Sequence, residues 1–250
     1  MDFKRQDGEA IVMHPIAHIR TAFPTKFGIP RQSGVVPALT GRIVFTKEYA
    51  QAEALRGIGG YSHLWLIWYF SEARRSRWAA TVRPPRLGGN VRMGVFATRS
   101  PFRPNGIGLS SVRLERVELD TAEGPVLHVS GIDLMDGTPI LDIKPYLPAV
   151  DSHSEATGGF TDTTPFRELE VVFPPALLAQ VPEAERDALL GVLREDPRPH
   201  YQDDPDRVYG FRFAGLEVKF RVASGRLTVV AVEPAGFPFP CNVIRHMLQK

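Results

Sequence analysis

The chain has 250 residues, 43% of them apolar and 23% charged, with a formal net charge of +2. These values fit one large or two smaller globular domains and exclude disordered, collagen-like or strongly charged chains. The single cysteine, Cys241, excludes an internal disulfide and a cysteine-rich zinc site.

The opening MDFKRQDGEA has no apolar signal core, and no apolar run approaches a membrane span. The expectation is a cytoplasmic protein with no membrane partner. The 22 prolines and 22 glycines predict many turns and short strands. Residues 10–20 read as a strand broken by Pro15, followed by a loop carrying Pro24, Gly28, Pro30 and Gly34. GRIVFTKEY (41–49) has the β-branched and aromatic content of a strand, and YAQAEALRGI (49–58) predicts a short amphipathic helix. YSHLWLIWYF (61–70), apolar on both faces, predicts a strand buried on both sides. MGVFATRS, GLSSVRLERVEL, VLHVSGIDLM and ILDIKPYLP continue the strand pattern with turn signals at short intervals. Short strands without intervening helices argue against a doubly wound sheet. They predict a mainly β protein whose N-terminal part is a closed or nearly closed antiparallel β-barrel over about residues 8–150.

The composition changes near residue 152, where SHSEATGGFTDTTP reads as a linker or long surface loop. A strand (167–173), a helix over 176–196 interrupted near Pro182, and two strands (YGFRFAGLEVKFRVA and GRLTVVAVEP) follow. The expected organisation is a barrel domain over 1–155, a smaller α+β domain over 156–236, and a tail, 237–250, without an assigned role.

Between Ala73 and Leu114 stand nine arginines and neither lysine nor carboxylate: Arg74, Arg75, Arg77, Arg83, Arg86, Arg92, Arg99, Arg103 and Arg113. Glycine, proline and asparagine between them preclude a single helix, so they project from loops and short strands. The guanidinium fork matches phosphate and carboxylate bidentately and stacks on bases. In a nearly neutral chain this local block predicts an anion or nucleic-acid surface, against the plain alternative of a solvated basic face. Walker A, G-x-G-x-x-G, H-E-x-x-H, G-x-S-x-G and spaced Cys/His patterns are all missing. His63, within an apolar strand, reads as a core histidine. The acidic feature is GIDLMDGTPILDIKPYLPAVD (131–151), with Asp133, Asp136, Asp142 and Asp151. MDGTP predicts a tight turn: Asp136 bonds its own backbone, Gly137 supplies positive φ and Pro139 fixes the exit. Several acids together suggest a polar cavity at a strand end, suited to ribose hydroxyls, a ligand amine or general-base work. A purely structural turn is the alternative.

MHPIAHIRTAFPTKFGIPRQSG, GGYSHLWLIW, VRPPRLGGNVRMGVFATRSPFRPNGIGLS, GIDLMDGTPILDIKPYLP and DPRPHYQ together resemble the YaeB/TrmO family of tRNA methyltransferases. The resemblance covers roughly residues 10–235 and ends before the tail. It implies S-adenosylmethionine (SAM) as methyl donor, held in an antiparallel barrel. It also implies a homodimer and, as acceptor, N6 of threonylcarbamoyl-adenosine at tRNA position 37. On this reading Gln32, Ser33, Gly34, Arg99, Leu109, Ile132, Asp133, Leu134, Met135, Asp136 and Gly137 hold the donor. Arg83, Arg86, Arg92 and Arg103 face RNA phosphates, and Asp136 or Tyr146 assists removal of one proton without a metal. Two other classes stay open: a non-catalytic RNA-binding barrel, and a small-molecule hydrolase with an arginine-lined anion site.

Overall fold

The computed structural model describes residues 11–73, 78–164, 168–198 and 204–236. The N-terminal half contains strands β1 (Ala17–Thr21), β2 (Thr40–Phe45), β3 (His63–Tyr69), β4 (Thr81–Val82), β5 (Met93–Gly94), β6 (Ile107–Glu118), β7 (Val126–Ser130) and β8 (Pro139–Pro145). Six of them close an antiparallel barrel in the order β1-β2-β7-β6-β3-β8. The seam is short, pairing Ala17 with Ile140 and His18 with Pro139. The barrel expected from the sequence is therefore present.

Alternation of side chains fills the barrel. Ile19, Ile43, Leu64, Leu66, Val112, Leu127, Val129 and Ile140 are essentially inaccessible, and each such side chain contributes about 1.5–3 kcal/mol by leaving water. Burial of β3 on both faces, expected from its composition, gives way to strict alternation. Leu64, Leu66 and Trp68 point inward, while His63, Trp65, Ile67 and Tyr69 keep partial exposure on the outer face. β6 is long enough to serve β3 with its first half and β7 with its second, and a register shift between Leu114 and Arg116 bends it across. The helix expected over 49–58 is replaced by two 3-10 turns, Ala52–Leu55 and Ile58–Gly60. Only Leu55 is buried there and Gly57 takes φ +85° between the turns, so no apolar face stabilises a longer helix. MGVFATRS is likewise not one strand: β5 stops at Gly94 and a 3-10 turn, Val95–Ala97, follows.

After the barrel come two one-turn helices, α1 (Pro148–Asp151) and α2 (Phe160–Thr163), the second within the region expected to be a linker. The C-terminal unit contains β9 (Glu170–Val172), α3 (Pro175–Leu178), α4 (Glu183–Arg194), β10 (Tyr209–Phe213), β11 (Leu216–Ala223) and β12 (Arg226–Pro234). Its sheet runs β10-β11-β12-β9. The run 209–223, expected as one strand, is a hairpin whose turn places Ala214 at φ +49° and Gly215 at φ +78°. The helix over 176–196 is broken at Pro182, as expected.

The loop between β1 and β2 joins the two units. Phe23 meets Phe213 edge-on at 5.2 Å, and Ala214 N donates to Ala22 O at 2.9 Å. Gly28 takes φ +82°, and a Cβ there would lie 2.4 Å from the Phe211 ring. Gly191 of α4 similarly leaves room for Val36. The tail 237–250 with Cys241, the arginines Arg74, Arg75 and Arg77, and most of DPRPHYQ lie outside the described residues.

Candidate active site

One mouth of the barrel is formed by the C-terminal ends of β1, β3 and β7 and the N-terminal ends of β2, β6 and β8. Trp68 pairs with Gly108, and its indole lies so close that a Cβ there would sit 2.3 Å from Trp68 Cε2. This brings Trp68 Nε1–H to the buried Ser110 Oγ at 3.0 Å. Ser110 Oγ–H in turn donates to Asp133 Oδ1 at 2.6 Å. The 32–34 loop closes over the same place: Ser111 N donates to Ser33 Oγ at 3.1 Å, and Gly34 N to Gly131 O at 2.8 Å. Arg99 reaches across to Gln32 Oε1. Gln32, Ser33, Gly34, Arg99 and Asp133, named from the sequence, are thus one cluster, whereas Ile132 is buried in the core.

Burial raises the Asp133 carboxyl from 3.8 to about 6, against hydrogen bonds from Ser110 and the Ser33 backbone and the nearby Arg99 charge, which favour the ionised form. Asp133 nonetheless remains partly accessible. A desolvated carboxylate with one oxygen fixed and a guanidinium alongside suits a ligand bearing both a positive centre and a carboxylate. Ser110 and Trp68 were missed from the sequence. The available signal was a serine at an inward position of β6, between Gly108 and Val112.

The rest of the 132–137 turn faces elsewhere. Leu134 is buried in the core. Asp136 Oδ1 accepts from Thr21 N at 3.0 Å, and its carboxylate lies 3.8 Å from Arg20. Met135 O accepts from Thr138 Oγ1, and Gly137 takes φ +76°. Leu109 points to the outer face of β6, opposite Ser110, and is 55% exposed. Tyr146 sits at the other mouth, its N–H donating to His63 O at 3.0 Å and its ring 5.4 Å from that of Trp65. The length of β8, roughly 20 Å, separates it from Asp136, so one barrel does not bring the two together. Asp142 pairs with Lys144, and Asp151 accepts from Trp65 Nε1 and Leu147 N. The single acidic cavity expected over 131–151 is therefore dispersed along the barrel. His63 lies on the outer face with Ser62 Oγ 3.0 Å from Nδ1, a correction to its reading as a core residue.

Among the arginines, Arg83, Arg86, Arg92 and Arg99 are exposed. Arg92 Nε donates to Thr81 Oγ1 at 3.0 Å. Arg86 lies near enough to Arg31 and Glu195 to perturb both titrations, at the seam with the C-terminal unit. Arg103 is engaged with its own loop, donating to Thr98 O at 2.6 Å and Val95 O at 3.4 Å. Among the described residues, no group of three metal-ligating side chains occurs and no helix is long and apolar enough to cross a membrane.

Fold and candidate site together define a closed-barrel protein with a carboxylate and guanidinium cluster at one mouth, joined to a small α+β unit. Residues 18–152 match the family model of the tRNA-methyltransferase O N-terminal domain, and residues 167–235 that of the TrmO C-terminal domain. The chain belongs to the TrmO family. It is 39% identical over 227 residues to the tRNA (adenine(37)-N6)-methyltransferase of Escherichia coli K12, covering 88% of this chain and 96% of that protein. A Pseudomonas aeruginosa protein called a putative S-adenosylmethionine-dependent methyltransferase is 42% identical over 220 residues, covering 82% and 89%. The crystal structure of TrmO from P. aeruginosa superposes with a TM-score of 0.71 at 35% identity, covering 90% of this chain and 99% of that one.

Proposed function

We propose that the protein is a SAM-dependent tRNA methyltransferase acting on N6 of adenine 37, with threonylcarbamoyl-adenosine as acceptor. The observation that carries this reading is the Ser110–Asp133 pair facing Gln32, Ser33 and Arg99 in a chain of this family. The residues fit the donor. Arg99 offers a fork to a carboxylate, Gln32 and Ser33 offer partners to hydroxyls, and ionised Asp133 offers a counter-charge.

When bound, the donor supplies an electrophilic methyl carbon on a sulfonium. The chain must then hold the acceptor nitrogen in line and take one proton as the N–C bond forms and the C–S bond breaks with its pair on sulfur. Flanked by a purine and a carbonyl, that N6–H is acidic enough for a carboxylate to receive it. We assign the proton to Asp133: Ser110 and the backbone at Ser33 orient its carboxylate, and its pKa of about 6 matches the task. Asp136 is tied to Thr21 and Arg20 and serves the shape of the turn. Tyr146, at the far mouth, would reach a site only across a subunit interface. Exposed Ile107 and Leu109 on β6 support such a homodimer. Arg83, Arg86 and Arg92 face tRNA phosphates, and the protein works in the cytoplasm as one barrel domain (1–155) and one α+β domain (156–236).

Two measurements test this reading. Calorimetric titration with SAM is expected to show micromolar binding, and absence of binding refutes it in favour of an RNA-binding barrel or a hydrolase. Nucleoside mass spectrometry of tRNA from a strain lacking the gene is expected to show loss of the N6-methyl group from threonylcarbamoyl-adenosine.

A further inference from the structure

Two large aromatic side chains, Trp78 and Phe96, stand 55% and 72% exposed on the arginine segment. Their rings are neighbours, with centroids 6.4 Å apart and planes 30° from one another. The exposure of Phe96 is enforced by its turn. Val95, next to Phe96, is buried, and its N–H donates to Ala80 O at 2.9 Å. Thr98 Oγ1 donates to Val95 O at 2.9 Å, and Arg103 closes the turn through the Val95 and Thr98 carbonyls. The same guanidinium lies 5.8 Å from the centre of the Phe96 ring. The turn is thus pinned by its polar groups while it presents an aromatic ring to water. The same segment carries exposed Arg83, Arg92 and Arg99, without any carboxylate between Ala73 and Leu114. Arg99, three residues beyond Phe96, is also the guanidinium whose charge reaches Asp133.

An exposed aromatic pair on a segment rich in arginine and free of carboxylates is suited to one ligand chemistry: unpaired bases whose phosphates meet the arginines and whose faces stack on the rings. We infer that Trp78 and Phe96 form a stacking platform for a loop nucleotide adjacent to the methylated adenine, positioning that adenine toward the Asp133 mouth. This rests on the proposed tRNA activity and adds to it the residues that grip the loop by its bases rather than its phosphates.

The test uses the full-length protein and a synthetic anticodon stem-loop carrying 2-aminopurine beside position 37. With the unaltered protein, binding is expected to quench the 2-aminopurine. Phe96→Ala and Trp78→Ala are each expected to weaken binding by roughly 5- to 100-fold and to abolish much of the quenching. Their SAM affinity and slope of log K against log salt should remain those of the parent, because no ionic contact is removed. Phe96→Tyr should restore binding. Both side chains are exposed, so the variants should melt with the parent protein. Unchanged affinity and quenching in folded variants overturns the platform while the methyltransferase reading stands. A change in sedimentation in place of RNA affinity also overturns it, showing that the rings cover a protein partner. If the unaltered protein binds no stem-loop, the proposed tRNA activity fails first and the platform with it.

Discussion

The two mouths of the barrel each carry an aspartate accepting a hydrogen bond from a side-chain donor, yet the two carboxyls are driven in opposite directions. At one mouth Asp133 accepts from Ser110 in a desolvated setting and rises to about 6. At the other, Asp151 is partly exposed and accepts from Leu147 N and Trp65 Nε1, which hold its carboxyl below the usual range. The number of hydrogen bonds does not decide which aspartate can do chemistry. The surrounding dielectric does. The Asp133 carboxyl is raised toward neutrality, whereas that of Asp151, the last residue of α1, is held below the usual carboxylate range.

The largest effect that can break this comparison is on turnover. Asp133→Asn is expected to lower single-turnover methylation by about 10²–10⁴-fold, while Asp151→Asn stays within a factor of about three. Equal losses would mean that the far mouth, with Tyr146, belongs to the same centre across a subunit interface. Next in size, Arg99→Ala is expected to weaken SAM binding by roughly ten- to a hundredfold, the loss of one charge-assisted contact. Calorimetry reads it directly, and unchanged affinity would move Arg99 to the RNA surface.

Ser110→Ala sharpens the account of Asp133. It strands the Trp68 indole N–H and should cost about 1–3 kcal/mol of stability in a thermal melt. Because the donated bond favours the ionised carboxylate, its loss should move the acid limb of kcat/KM above the parent's, which is expected near pH 6 from the Asp133 carboxyl. The accompanying stability change has a definite sign. Asp133 titrates higher in the folded chain than its ordinary 3.8, so the folded state retains a proton that the unfolded state releases. Stability contributed by that proton is present below about pH 4 and is lost as pH rises toward about 6. Asp133→Asn should lack this loss, and melts at pH 4 and pH 7 compare the two. The smallest effect is expected from Asp136→Asn, about 1 kcal/mol of stability through the Thr21 contact, with turnover nearly intact. A folded Asp136→Asn protein that is inactive would reverse the roles of the two aspartates in the turn.

The barrel was legible because alternation, turn residues and missing helices are local signals carried by β1, β2, β6, β7 and β8. The turn at Asp136–Gly137 was legible for the same reason, although Asp136 bonds Thr21 N of β1 and not its own backbone as expected. The errors have a common physical origin. The outer face of β3 looked like core because Trp65 and Tyr69 are apolar in composition, although they bear polar tips and partial exposure. The acids of 131–151 looked like a cluster because sequence distance conceals β8, which carries Tyr146 to the opposite mouth. Ser110 and Trp68 were overlooked because their meaning lies in a pairing across β3 and β6 that no local pattern announces.

The loop that carries Gln32, Ser33 and Gly34 is also the loop that Phe211, Phe213 and Gly191 grip from the C-terminal unit. The ligand mouth therefore has its outer wall anchored in the neighbouring module, and the two modules are not interchangeable parts. A barrel grafted onto another C-terminal unit would keep Asp133 and Ser110 but lose the template that shapes residues 22–39. Gly28 records this dependence in a single position, since its fit against Phe211 has meaning only while that partner is attached. Evolutionary exchange of the second module would have to rewrite the donor loop in the same step.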